Sequence, residues 1–168
     1  MKLTNWTDYS LRVLMYCAAS QGREQPVTIT EIADAHDISR SHLTKIVVAL
    51  SDQGLLETTR GRGGGLRLLK PAKDIVLGEV VRKTETDFTM VECFAPATGS
   101  CRLSGHCRLM TVLQEALQSY LKVLDGVTLA DLVPSAAAGL PALPKRRKSV
   151  TVAVSKDRLA SHRNPGTS

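Results

Sequence analysis

The chain has 168 residues, a hydrophobic fraction of 43% with only 4% aromatic residues, and a formal net charge of +6. That length buries one aliphatic core with an extra arm or tail, and no apolar run approaches the roughly 20 residues that span a bilayer. The opening MKLTNW lacks the apolar stretch of a secretory signal, so a cytoplasmic protein with no membrane partner is expected.

The charge is uneven. Residues 134–168 carry seven basic side chains, including Lys145 to Lys148, against the single acid Asp157, whereas residues 1–133 hold 15 of each sign. The high pI therefore says nothing about a DNA-binding surface on the folded body. Richness in Pro, Ala and Ser predicts a basic disordered tail over 134–168, either solvated or weakly attracted to phosphate or membrane.

In chain order, Asp8 heads a segment with Leu11, Leu14, Met15 and Ala18 at helical spacing, which predicts a first helix from about residue 7 to 20. Cys17 has apolar neighbours there and reads as core filler. Thr28 and Glu31 have capping-box spacing for a short second helix through Ile32 and Ala35. After a turn at Asp37 and Ile38, Ser39 caps a third helix whose apolar face is Leu43, Ile46, Val47 and Leu50 and which ends near Gly54. Two helices joined so tightly form a helix-turn-helix, with Ser39, Arg40, Ser41, His42, Thr44 and Lys45 as the donor-rich face for a major groove.

Strand-like runs at Leu55–Thr59 and Leu66–Leu69 then bracket the loop RGRGGG, a hairpin wing whose Arg60, Arg62 and Gly63 suit a minor groove. The loop lacks the Lys-Ser/Thr ending of a nucleotide-binding P-loop, and a strand rather than a helix follows it. Between Arg40 and Lys73 seven basic residues face two acids. Lys73 to Glu85 predicts a strand end and a short helix. From about Ser104 to Asp125 an apolar stripe through Leu109, Val112, Leu113, Ala116, Leu117, Tyr120, Leu121 and Leu124 predicts a long helix. Little of the chain is left to cover that stripe, so it is expected to pair two copies. The fold class is mainly α with a small β-hairpin wing. It divides into a winged helix-turn-helix over 1–85, a cysteine loop over 86–108, a dimerisation helix with a short terminal helix over 104–133, and the tail.

Cys93, Cys101 and Cys107 are separated by seven and five residues. Three crowded thiols in a reducing compartment point to metal or redox chemistry rather than to disulfides. Cys107 is expected in the first turn of the long helix, where unpaired amides and the helix dipole suit an anionic sulfur. Structural zinc with His106 as fourth ligand is one alternative, and an iron-sulfur electron carrier is another. No nucleophile, base and orienter stand together, so an enzyme is not expected.

The stretches MKLTNWTDYSLR and ISRSHLTKIVVALSDQGLLETTRGRGGGLRL, the cysteine loop opening ECF and the closing VTLADLV cover about residues 1–133. Together they resemble the NsrR-like nitric-oxide-sensing repressors of the winged-helix iron-sulfur regulator family, which also includes IscR. The resemblance implies a homodimeric repressor that binds a double-stranded DNA operator, senses nitric oxide, and holds an iron-sulfur cluster through Cys93, Cys101 and Cys107. A 4Fe-4S cluster is expected, with 2Fe-2S or a redox-sensing role as the alternative. Asp8, by the same resemblance, is a fourth ligand given across the dimer; read alone, it is a first-turn acid favoured by the helix dipole. Met110 occupies the position where IscR-like members carry a histidine, and the gap between Cys93 and Cys101 is longer than the NsrR-like branch leads one to expect.

Overall fold

The structure is a computed structural model that describes residues 2–91, 94 and 107–133. Cys93, Cys101, His106 and the tail 134–168 lie outside the described residues.

Helix α1 spans Asn5–Ala19. Its cap is Thr4, whose hydroxyl accepts from the Thr7 amide at 3.3 Å. The helix thus starts before the predicted position, because its opening residues Asn5 and Trp6 are exposed and carry no apolar period. Asp8 sits in the first turn. Helix α2, Ile29–His36, carries the expected capping box: the Glu31 amide donates to Thr28 Oγ1 at 3.1 Å and the Thr28 amide donates to Glu31 Oε2 at 2.7 Å. It stops at Asp37, whose φ of 54° is left-handed, a conformation aspartate tolerates better than most residues. Ile38 is buried just beyond it. Helix α3, Arg40–Asp52, follows with Ser39 as its cap.

Strands β1, Leu56–Thr59, and β2, Gly65–Leu68, pair antiparallel, with Leu56 opposite Leu68 and Thr59 opposite Gly65. Val27 bridges Leu66 on the other side of β2: the Val27 amide donates to the Leu66 carbonyl at 3.1 Å and the Leu66 amide to the Val27 carbonyl at 2.7 Å. A 3-10 turn at Ala72–Asp74 leads to helix α4, Leu77–Thr84. Where a strand end was expected, a single bridge joins Val76 to Thr128. Helix α5 spans Arg108–Asp125, and a short 3-10 helix, Leu129–Leu132, follows it. Cys107 has an extended backbone, with φ of −82° and ψ of 99°, so it caps α5 from outside rather than sitting in its first turn.

One core joins these elements. Val13 and Leu14 of α1, Ile32 of α2, Leu43, Ile46 and Leu50 of α3, Leu66 of β2, Val80 of α4 and Leu129 belong to a single buried cluster. Cys17 is 3% exposed within it, as its apolar neighbours predict. Among the described residues the N-terminal half of α5 has no such cover. Leu121 alone of its residues is buried, while Leu109 is 61% and Val112 50% exposed. The C-terminal end of α5 is held to α4 by a forked ion pair, in which Arg82 Nη2 meets Asp125 Oδ2 at 2.7 Å. That guanidinium keeps the Asp125 carboxyl below the usual carboxylate range.

Candidate nucleic-acid interface

Leu43, Ile46, Val47 and Leu50 of α3 turn into the core, which leaves its other face, with Val48, in solvent. Ser39, Arg40, Ser41, His42, Thr44 and Lys45 are all exposed. The hydroxyls near the start are already engaged locally: Ser39 Oγ accepts the His42 amide at 3.4 Å and shares a hydrogen bond of 3.2 Å with Ser41 Oγ. Thr44 donates its hydroxyl back to the Arg40 carbonyl at 2.8 Å. Arg40 and Lys45 form no salt bridge among the described residues. Two uncompensated cations at the head of a helix-turn-helix recognition helix are placed for phosphate or base-edge contacts.

The wing turns through Gly61 and Gly63, whose φ values of 97° and 77° lie where side chains are strained. The Gly64 amide closes the turn onto the Gly61 carbonyl at 3.0 Å, and a Cβ at Gly64 would lie 2.2 Å from the Thr59 carbonyl oxygen. Glycine is therefore required for shape here. Arg60 and Arg62 are exposed at the tip and unpaired among the described residues.

Arg67, counted in the sequence with the basic patch, does something different. Its guanidinium donates to the carbonyls of Arg23 and Glu24, at 3.2 and 2.5 Å, and so ties β2 to the connection between α1 and α2. Sequence reasoning missed this tether, since residues 43 and 44 positions apart meet only through the fold.

At the start of α1, Asp8 pairs with Arg12 one turn on, at 2.9 Å, and both side chains are nearly half exposed. Nearby, Glu85 gathers three donors on one carboxylate oxygen: the Thr4 amide at 2.9 Å, the Thr4 hydroxyl at 3.1 Å and the Thr7 hydroxyl at 2.8 Å. This buried knot fastens the start of α1 to the end of α4, from which the chain leaves toward the cysteines. No sequence signal marked it. Cys107 is half-buried and makes no side-chain capping bond to α5, so among the described residues its sulfur has no partner at a helix end rich in amide donors. Among the described residues no group of three or more His, Cys, Asp or Glu side chains gathers as a metal site.

A helix-turn-helix with an arginine-tipped hairpin, its cations unpaired on one face, defines a winged-helix DNA-binding regulator. Comparison with known proteins gives the family. The Rrf2 family model, described as iron-dependent transcriptional regulator, matches residues 3–135. The chain is 53% identical over 133 residues to the HTH-type transcriptional regulator NsrR of Bacillus subtilis, covering 79% of this chain and 90% of that one. It is 48% identical over 147 residues to NsrR of Geobacillus kaustophilus, covering 88% and 99%. The solved structure of T. potens IscR superposes with a TM-score of 0.63 at 25% identity, over 79% of this chain and 85% of that one. The protein belongs to the Rrf2 family of transcriptional regulators. It is a regulator and not an enzyme.

Proposed function

We propose that this protein is a homodimeric repressor that releases its operator when nitric oxide reaches an iron-sulfur cluster held by Cys93, Cys101 and Cys107. The observation that carries the reading is one element with two roles: Cys107 caps α5, and the apolar stripe of α5 begins two residues later at Leu109, uncovered. A change at the thiols is thereby transmitted directly to the surface that pairs two copies. The donor chemistry fits the group, with three thiols and, among the described residues, neither a capping bond nor a disulfide partner for Cys107 at the amide-rich end of α5. The bound cluster, 4Fe-4S in preference to 2Fe-2S, supplies the iron that reacts with nitric oxide.

The remaining roles fall to the chain itself. Asp8 projects from the first turn of α1, solvent-accessible beside Arg12, and serves as the non-thiolate ligand to the partner's site. Arg40, Ser41, His42, Thr44 and Lys45 enter the major groove with Ser39 at its edge, while Arg60 and Arg62 enter the minor groove on the turn that Gly63 shapes. The winged unit is 1–85, the ligand loop 86–108, the pairing helix with the short terminal helix 104–133, and the basic tail 134–168. The names of the NsrR relatives support the nitric-oxide branch, as does Met110, which leaves the histidine position of the IscR-like branch without an imidazole.

The test is anaerobic purification, determination of iron and sulfide, a visible spectrum, and titration of nitric oxide while operator binding is followed. Binding that is lost in step with bleaching supports the proposal. A colourless, zinc-loaded protein that still binds DNA and ignores nitric oxide refutes it, and a coloured protein that responds to oxidants alone makes it a redox sensor.

A further inference from the structure

Val48 sits at the centre of the exposed face of α3 and is 55% exposed. It is seven residues after Ser41, which at 3.6 residues per turn brings it within roughly 20° of the same direction. The core residues Leu43, Ile46, Val47 and Leu50 occupy the opposite side. A β-branched apolar residue in that place contributes nothing to the core, and its helix propensity is below that of alanine or lysine. Thr44, one turn earlier, adds to it. Because its hydroxyl is turned back onto the Arg40 carbonyl, its methyl group is the part left to the surroundings. The two residues form a short apolar ridge, flanked by Ser41 and Lys45 and limited on the C-terminal side by Asp52, a carboxylate that would repel phosphate.

We propose that Val48, together with the methyl of Thr44, selects thymine in each operator half-site by apolar contact with its C5-methyl group. In the major groove that methyl is the one apolar feature by which a base pair identifies itself, and an aliphatic side chain is its natural complement. Thr44 and Val48 lie about 6 Å apart along the helix axis. The ridge thus spans one or two base-pair steps of about 3.4 Å. The inference rests on the proposed operator binding through α3 and names what part of the sequence that helix reads.

The experiment starts from an operator selected in vitro with the full-length protein and replaces each thymine in turn by deoxyuridine, a change of one methyl. Wild-type affinity is expected to fall about 3- to 5-fold at one or two positions per half-site, the scale of one buried methyl. Val48→Ala should abolish that sensitivity at one of those positions while leaving the salt dependence of binding unchanged and the melting temperature no lower, because an exposed valine contributes no core packing and alanine is the better helix former. An operator without thymine in its half-sites overturns the inference, as does full deoxyuridine sensitivity retained in Val48→Ala. Failure to select any sequence, or unchanged binding by Arg40→Ala with Lys45→Ala, overturns operator reading by α3 and the inference together.

Discussion

Arg67 carries the same formal charge as Arg60 and Arg62, but its environment gives it a different task. With two backbone carbonyls on its guanidinium it holds β2 in place, whereas the wing-tip arginines are unpaired among the described residues. Replacing Arg60 by alanine should lower the slope of log affinity against log salt by about 0.9, the loss of one phosphate contact. Arg67→Ala should weaken operator binding by displacing the wing yet leave that slope unaltered, and Arg67→Lys should recover little of the loss because a single ammonium nitrogen lacks the planar fork that sets one guanidinium nitrogen on each carbonyl. Equal slopes for the Arg60 and Arg67 variants would sink the tether. Cys17 gives a second residue-scale expectation. Burial, aided by the Glu31 carboxylate, pushes its thiol from 9.0 up to about 12. A raised pKa favours the neutral thiol in the folded state, so the stabilisation is complete below the unfolded value and is lost as pH climbs toward the folded one. Between neutrality and about pH 10 the wild type should lose about 1.4 kcal/mol more than Cys17→Ala, measured by urea denaturation at both pH values.

At the scale of elements, the caps set where the recognition helix points. Helix α2 is only eight residues long, so its reciprocal cap from Thr28 and Glu31 is a large part of what holds it. Arg23 adds an ion pair to Glu31 at 3.0 Å, joining the cap to the same connection that Arg67 grips. Thr28→Ala should destabilise the protein by about 0.5–2 kcal/mol, visible as a lower urea midpoint with an unchanged m-value. It should weaken DNA binding in parallel, since α2 braces α3 through Ile32 and Leu43 in the common core. A loss of binding with no loss of stability would instead place Thr28 at the DNA.

For the whole molecule, α5 is the element that the described residues leave most exposed, and the proposed pairing of two copies is tested there. Leu109, Val112 and Val123 are 61%, 50% and 67% exposed on a helix whose C-terminal half is fixed to α4. Covering such a stripe with its copy removes apolar surface at about 25 cal/mol per Å². Leu109→Gln combined with Val112→Gln should therefore shift sedimentation toward monomer at micromolar concentration. Operator affinity should fall far more than affinity for an isolated half-site, because only the dimer engages two half-sites at once. Unchanged mass would remove α5 as the pairing surface.

The sequence by itself determined the winged helix-turn-helix, because its signals are local. A capping box acts over three residues, an apolar face repeats within a helix turn, and a glycine-rich turn between short strands forms by backbone freedom alone. The order of helices, the hairpin, the burial of Cys17 and the solvent face of α3 were all legible in that way. Only the tertiary structure decided which charges are structural: Arg67 against the carbonyls of Arg23 and Glu24, Arg82 against Asp125, and Glu85 against Thr4 and Thr7. Those partners lie between 43 and 81 positions apart in the chain. No periodicity encodes such a meeting, since it arises when the packed core brings distant segments within hydrogen-bonding distance. The start of α5 was settled at the same level, by the extended backbone of Cys107, which moves that cysteine from the first helical turn to the cap.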